Sequence, residues 1–175
     1  MKNELMNQLV NRLNELSADH AEEEFIKCCG SKRWARSMAS GRPFNSIDDL
    51  LTKADSVWWS LSEEDWLEAF RAHPKIGEKK AAATQSEQAR NWSAAEQSRM
   101  SDAAAEVTAA LAEGNREYEE RFGFIYIVCA TGRTPEEMLT ILKARLQNDA
   151  ATELRNAATE QGKITRLRLE KLLKQ

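Results

Sequence analysis

One run in this chain, Phe122-Gly123-Phe124-Ile125-Tyr126-Ile127-Val128-Cys129-Ala130, is aromatic and β-branched and so prefers an extended backbone. No other stretch offers it a good second strand. A lone extended segment cannot make a sheet, so the fold around it has to be helical. Its backbone donors and acceptors must then be met by side chains, water, a second subunit or a ligand.

The rest of the sequence agrees. Only 7 glycines and 3 prolines interrupt 175 residues, and alanine, leucine, glutamate, lysine and arginine dominate. Leu5, Leu9, Leu13 and Leu16 recur at helical spacing, giving a first helix through about Glu15. Ser17 caps a second helix that stops near Gly30, and residues 31–38 form a short third one, broken by Gly41-Arg42-Pro43. Ser46 with Asp49 opens a fourth. Ser62 and Asp65 open a fifth, with Leu61 and Trp66 placed as a hydrophobic staple.

Trp92-Ser93-Ala94-Ala95-Glu96-Gln97 reads as the start of a long alanine-rich helix to about Ala112, interrupted at Gly114 and resumed from Tyr118 to Arg121. The stretch from Glu78 to Arg90 is compatible with helix or loop. Thr134-Pro135-Glu136-Glu137 is a strong helix start, with N-cap, proline at N1 and glutamate at N3. A last helix covers about Ala150 to Leu173, with Gly162 as a kink point. The expectation is an all-α fold: one compact domain over residues 1–175, roughly eight helices, and one extended apolar segment at 122–130.

Composition excludes several classes. Net charge is −3 with both signs interspersed, so there is no basic footprint for nucleic acid. No apolar run approaches the ~18 residues of a membrane span, and the N-terminus lacks the apolar stretch of a signal peptide. The cysteines are Cys28, Cys29 and Cys129, an odd set without C-x-x-C spacing, which reads as a reducing cytoplasm. The histidines are only His20 and His73, with no ligands at zinc spacing, so no metal is expected.

Chemistry-bearing candidates are few. Proline disfavours helical geometry in the residue before it, so the fifth helix should end at or just before His73, with Pro74 fixing the turn. Read blandly, His73 interacts with the last helix carbonyls, where a protonated imidazole is favoured. Read chemically, it is a general acid or base. His20 lies on a polar helical stretch and is expected in solvent.

Glu96 also has two readings. It can bond back to the Ser93 amide as a capping box. Alternatively, Glu96 and Gln97 sit at a helix N-terminus, where they can read a heterocycle rich in N–H and C=O groups. A competing Glu87-Gln88 pair lacks the tryptophan-serine cap. Cys129, among apolar neighbours, reads as a buried thiol before a nucleophile. The five tryptophans read as core. Arg133 reads as a solvated arginine or as one that meets an anionic substrate.

Taken in order, these pieces resemble the 2-oxo-4-hydroxy-4-carboxy-5-ureidoimidazoline (OHCU) decarboxylase family. The matching residues are Cys29-Gly30-Ser31 with Arg33-Trp34, Arg42-Pro43-Phe44, Trp66-Leu67-Glu68-Ala69-Phe70, and His73-Pro74-x-Ile76-Gly77. They continue with Trp92-Ser93-x-x-Glu96-Gln97, Tyr118-x-x-Arg121-Phe122-Gly123-Phe124 to Ala130, Gly132-Arg133-Thr134-x-Glu136-Glu137-Met138, and Ile164-Thr165-x-Leu167-Arg168-Leu169. The stretch between His73 and Ser93 is longer than in some relatives, and Ile125 stands where some have proline.

The resemblance implies an all-helical homodimer that forms (S)-allantoin from its substrate without a cofactor, in urate breakdown. It makes His73 the catalytic proton donor and Glu96, not Glu87, its catalytic partner. It places substrate against Pro74, against Ser93, Ala94, Ala95, Glu96 and Gln97, and against Tyr126, Ile127, Val128, Cys129 and Ala130. Helical pattern alone fits a rival equally well, a non-catalytic helical dimer that binds a protein or small molecule; a second rival, an enzyme for a different ureido-imidazoline, stands because the specificity contacts are partly backbone.

Overall fold

The computed structural model describes residues 2–76, 86–96 and 105–174, without the side chains of residues 2–6, 95 and 96. Nine α-helices lie among the described residues. In chain order they are α1 (Lys2–Glu15), α2 (Ala18–Cys29), α3 (Lys32–Ser40), α4 (Ile47–Ser60), α5 (Glu63–Arg71), α6 (Glu87–Glu96), α7 (Ala105–Phe122), α8 (Pro135–Arg145) and α9 (Ala150–Leu172). The all-α expectation holds, and the described residues contain no strand.

Local chemistry sets most boundaries. Ser17, Ser31, Ser46 and Thr134 each accept a backbone N–H from the first helical turn that follows. Ser62 and Asp65 bond reciprocally, N–H to side chain in both directions, at 3.1 and 3.3 Å. Thr134 and Glu137 form the full capping box behind Pro135. α2 ends on Gly30 in the left-handed region, φ 87°.

Contacts gather into two compact units, residues 1–69 with 162–175 and residues 70–161. The divisions fall inside α5 and inside α9. In the first unit α2 packs on α3, α3 on α4, and α1 on α4. Phe25 meets Trp34 and Phe44 edge-on, with centroids 6.0 and 6.1 Å apart. Two buried indoles find helix carbonyls: Trp34 Nε1 donates to Ala54 O at 3.1 Å and Trp66 Nε1 to Trp58 O at 2.9 Å. Arg42 donates to the carbonyls of Leu13 and Leu16, a cation at the C-terminus of α1. Trp59 departs from the all-core expectation for tryptophan: it is 41% exposed.

In the second unit α7 packs on α8 around Leu111, Tyr118, Tyr126, Val128, Met138, Leu142 and Leu146. Burying each large apolar side chain stabilises by about 1.5–3 kcal/mol. Gly114 does not interrupt its helix, as the sequence suggested; α7 runs through it. A Cβ there would come within 2.6 Å of Leu142 Cδ2, so glycine permits the close approach of α7 to α8. Helix α7 also extends through Phe122 and stops at Gly123, φ 79°, so the extended segment begins one residue later than expected. Gly162 sits within continuous α9.

Candidate active site

His73 leaves the end of α5. The helix stops at Arg71, as Pro74 requires, and the His73 N–H closes the last turn on Phe70 O at 3.0 Å. The turn that follows is tied down on two sides. Asn115 of α7 donates Nδ2–H to Ile76 O at 3.2 Å, while its own Oδ1 is buried without a hydrogen-bond partner among the described residues. Lys75 pairs with Glu119 of α7 at 2.6 Å. On α9, Gln161 sets Oε1 2.7 Å from His73 Nε2. Gln161 is fully buried and His73 partly exposed. Gly77, which completes the motif, lies outside the described residues.

The extended run meets its backbone demand with charged side chains. Cys129 N–H donates to Glu160 Oε2 at 2.8 Å. Arg133 Nη1 donates to the same oxygen at 2.7 Å and to Cys129 O at 3.2 Å. Arg133 is therefore half-buried and bound to Glu160 and to the run's own backbone rather than simply solvated. The hydrogen bond and charge of Glu160 raise its pKa above the ordinary arginine value, against the burial that opposes it.

Farther in, Arg145 Nη1 donates to Ile127 O at 2.7 Å and Nε to Glu153, which is fully buried. Burial works against the Arg145 cation, but the oxygens of Tyr118, Glu153 and Tyr126 outweigh it and its pKa rises. Tyr118 donates to Glu153 Oε1 at 2.6 Å and Tyr126 to Met138 O at 3.1 Å. Burial, more than anything else, pushes both phenols above the usual tyrosine range, so they are hydroxyl donors at any working pH.

The side chains of Tyr126, Ile127, Val128 and Cys129 are all buried. Two of the run's polar groups that face no helix ladder, Ile127 C=O and Cys129 N–H, are thus spoken for by Arg145 and Glu160.

The capping expectation for Ser93 is overturned. Helix α6 starts at Glu87, and Ser86 is its cap: Ala89 N–H bonds Ser86 Oγ at 3.2 Å and Arg90 N–H bonds Ser86 O at 2.9 Å. Ser93 is buried inside that helix, Ala94 is exposed on it, and Glu96 is its last residue. The backbone amides around Ser93 already serve the helical ladder, so they are not the open donors of a helix start. Gln97 and the Ala95 and Glu96 side chains lie outside the described residues, and with them the His73–Glu96 pairing. His20 is exposed and Cys129 is a buried thiol, as the sequence suggested. Among the described residues no three His, Cys, Asp or Glu side chains gather as a metal site.

Comparison with known proteins bears on this arrangement. The family model for OHCU decarboxylase matches residues 14–170. A 2-oxo-4-hydroxy-4-carboxy-5-ureidoimidazoline decarboxylase of Haloferax volcanii is 32% identical over 95% of this chain and 95% of its own length. The chain belongs to the OHCU decarboxylase family. The uric acid degradation bifunctional protein TTL of Arabidopsis thaliana is 40% identical over 90% of this chain, which spans about half, 48%, of that relative. A crystal structure of OHCU decarboxylase in the presence of (S)-allantoin is 39% identical, with a TM-score of 0.75 over 87% of this chain and 99% of that one.

Sequence reasoning missed the residues that hold this family's His-Pro turn and extended run: Asn115, Arg145, Glu153, Glu160 and Gln161. The one signal available was the run itself, whose backbone had to be met by something.

Proposed function

We propose that this chain converts 2-oxo-4-hydroxy-4-carboxy-5-ureidoimidazoline to (S)-allantoin and CO2 in urate breakdown, with His73 as proton donor. The substrate's name puts carboxyl and hydroxyl on ring carbon 4 and the ureido arm on carbon 5. Breaking the bond from carbon 4 to the carboxylate releases CO2 and leaves the electron pair on carbon 4. An adjoining ring C=N takes that pair up, so the substrate carries its own electron sink. A proton delivered to carbon 5 then lets the carbon 4 hydroxyl become a carbonyl, and the face of delivery sets the handedness.

The protein's tasks are to hold the carboxylate out of the ring plane, to desolvate it and to aim the proton. His73 delivers the proton, and Glu96 orients the ring or His73. Pro74, the Ser93–Gln97 segment and the 126–130 backbone contact the ring. With Ile127 C=O and Cys129 N–H already engaged, reading of the amide-like edges falls to the other backbone groups of the run, those of Val128 foremost.

The observation that carries this reading is that Gln161 holds His73 while Glu160, one residue earlier, holds Cys129. Residues far apart in sequence, which the resemblance assigns to one substrate, are thus braced by a single turn of α9. Residues 1–175 are proposed to work as one functional domain, as a homodimer in the cytoplasm. The family match over residues 14–170 supports the first point, and three buried cysteines outside any disulfide suit a reducing compartment.

The test couples the purified protein to freshly generated urate oxidation products and follows circular dichroism. Accumulation of optically active (S)-allantoin is expected. Racemic product at the background rate would contradict the proposal, and would fit a non-catalytic dimer instead.

A further inference from the structure

We infer that Gln161 is a positioning residue that decides which imidazole nitrogen of His73 exchanges its proton. The inference rests on the catalytic reading of His73 given above. Gln161 Oε1 lies 2.7 Å from His73 Nε2. A carboxamide oxygen can only accept, so Nε2 is the donor and keeps its hydrogen in both the neutral and the charged ring. The proton that His73 gains and loses is therefore the one on Nδ1. The ring is fixed in orientation and in tautomer by the same bond, as is usual where a histidine's second nitrogen is held by a partner.

The choice of an amide matters chemically. A carboxylate on Nε2 would stabilise the imidazolium and make it a weaker acid toward the substrate carbanion. One residue away stands such a carboxylate, Glu160, and its Oε2 is engaged by Arg133 Nη1 at 2.7 Å and by Cys129 N–H at 2.8 Å. Successive helix residues diverge by ~100° around the axis, so the acid and the amide serve different segments from one turn. The turn puts the neutral group on His73 and the charged group on the substrate-binding run. Burial of Gln161, with none of its surface exposed, keeps water from substituting for the amide.

The experiment is 15N NMR of the imidazole rings in the intact protein, with His73 assigned by its loss in His73→Gln, alongside steady-state turnover. In the wild type the neutral ring of His73 is expected as the Nε2–H tautomer. Gln161→Met removes the acceptor at similar volume; it should give a mixture of tautomers and lower kcat about tenfold with KM nearly unchanged, part of the ~10²–10⁴-fold that a placed acid contributes. Gln161→Glu restores an acceptor and should restore the single tautomer, which separates the bond from packing.

An Nδ1–H tautomer in the wild type, or an unchanged spectrum in Gln161→Met, overturns the inference. The Nδ1–H result in the wild type overturns the inference even if a variant fails to fold. A changed tautomer in Gln161→Met with unchanged kcat would uphold the inference and remove His73 from the chemistry, so the two failures are distinguishable.

Discussion

The two units of this chain meet the same physical demand in different ways. The first, residues 1–69 with 162–175, is almost wholly helix, and its backbone groups serve helical ladders and serine caps. Its interior is therefore free to be aromatic: Phe25, Trp34, Trp58 and Trp66, with the Trp34 and Trp66 indole N–H groups taken up by helix carbonyls. The second, residues 70–161, contains the run after Gly123, which has no ladder. It carries Asn115, Arg145, Glu153, Glu160 and Gln161 in buried positions. Among the described residues the first unit buries one charged side chain, Arg168; the second buries Arg145, Glu153 and Glu160, and Arg145 and Glu160 bond backbone outside regular structure, in the run proposed to meet substrate.

The strongest way to break this comparison is to remove one charge from the second unit. Arg145→Met leaves Glu153 buried without its cation and Ile127 O without its donor, and should destabilise the protein by about 3–5 kcal/mol. Chemical denaturation measures it. A loss under ~1 kcal/mol, the size of a surface pair, would mean the interior is wetter than described.

A smaller pair of effects, opposite in sign, sharpens the contrast. Gly114→Ala drives a methyl to 2.6 Å from buried Leu142 and should cost roughly 1–3 kcal/mol, despite alanine's better helix propensity. Gly162→Ala in α9 meets Trp58 only at 3.6 Å, an ordinary contact, and should stabilise by up to about 1 kcal/mol. Thermal melts of the two variants should move in opposite directions; a melting temperature unchanged or raised in Gly114→Ala would refute the packing described for α7 and α8.

The smallest expected effect is none at all. Burial pushes the Cys29 thiol up to about 12 and Cys28 higher still. At pH 8 both thiols are far below their pKa, and thiolate, the reactive form, is scarce. Native protein should resist alkylation at these positions at pH 8 and react once unfolded. Rapid native labelling of Cys28 or Cys29, read by peptide mass, would contradict the packing of the first unit.

The sequence showed what is local. Ser17, Ser46, Ser62 and Thr134 announce their helices because a cap bonds within three residues. The orphan character of the 122–130 run was visible as well. Ser93 precedes Glu96 at capping-box spacing, whereas Ser86, the cap observed, has Ala89 at that position and so carried no such signal. Gly114 looked like a break because its reason, Leu142, lies on another helix. The grip of Gln161 on His73 spans 88 residues, and that of Glu160 on Cys129 spans 31. On a helix so rich in charge, nothing local marks those two side chains as turned inward. The resemblance supplied the site residues; it did not supply what holds them.

The central claim is that His73 delivers the proton. The most direct measurement is the rate and optical purity of product formed by His73→Ala, with folding checked by far-ultraviolet circular dichroism. The account predicts a folded protein, a rate lower by about 10²–10⁴-fold, and residual product that is racemic. A rate near that of the wild type, with (S)-allantoin still formed in optical purity, would contradict it.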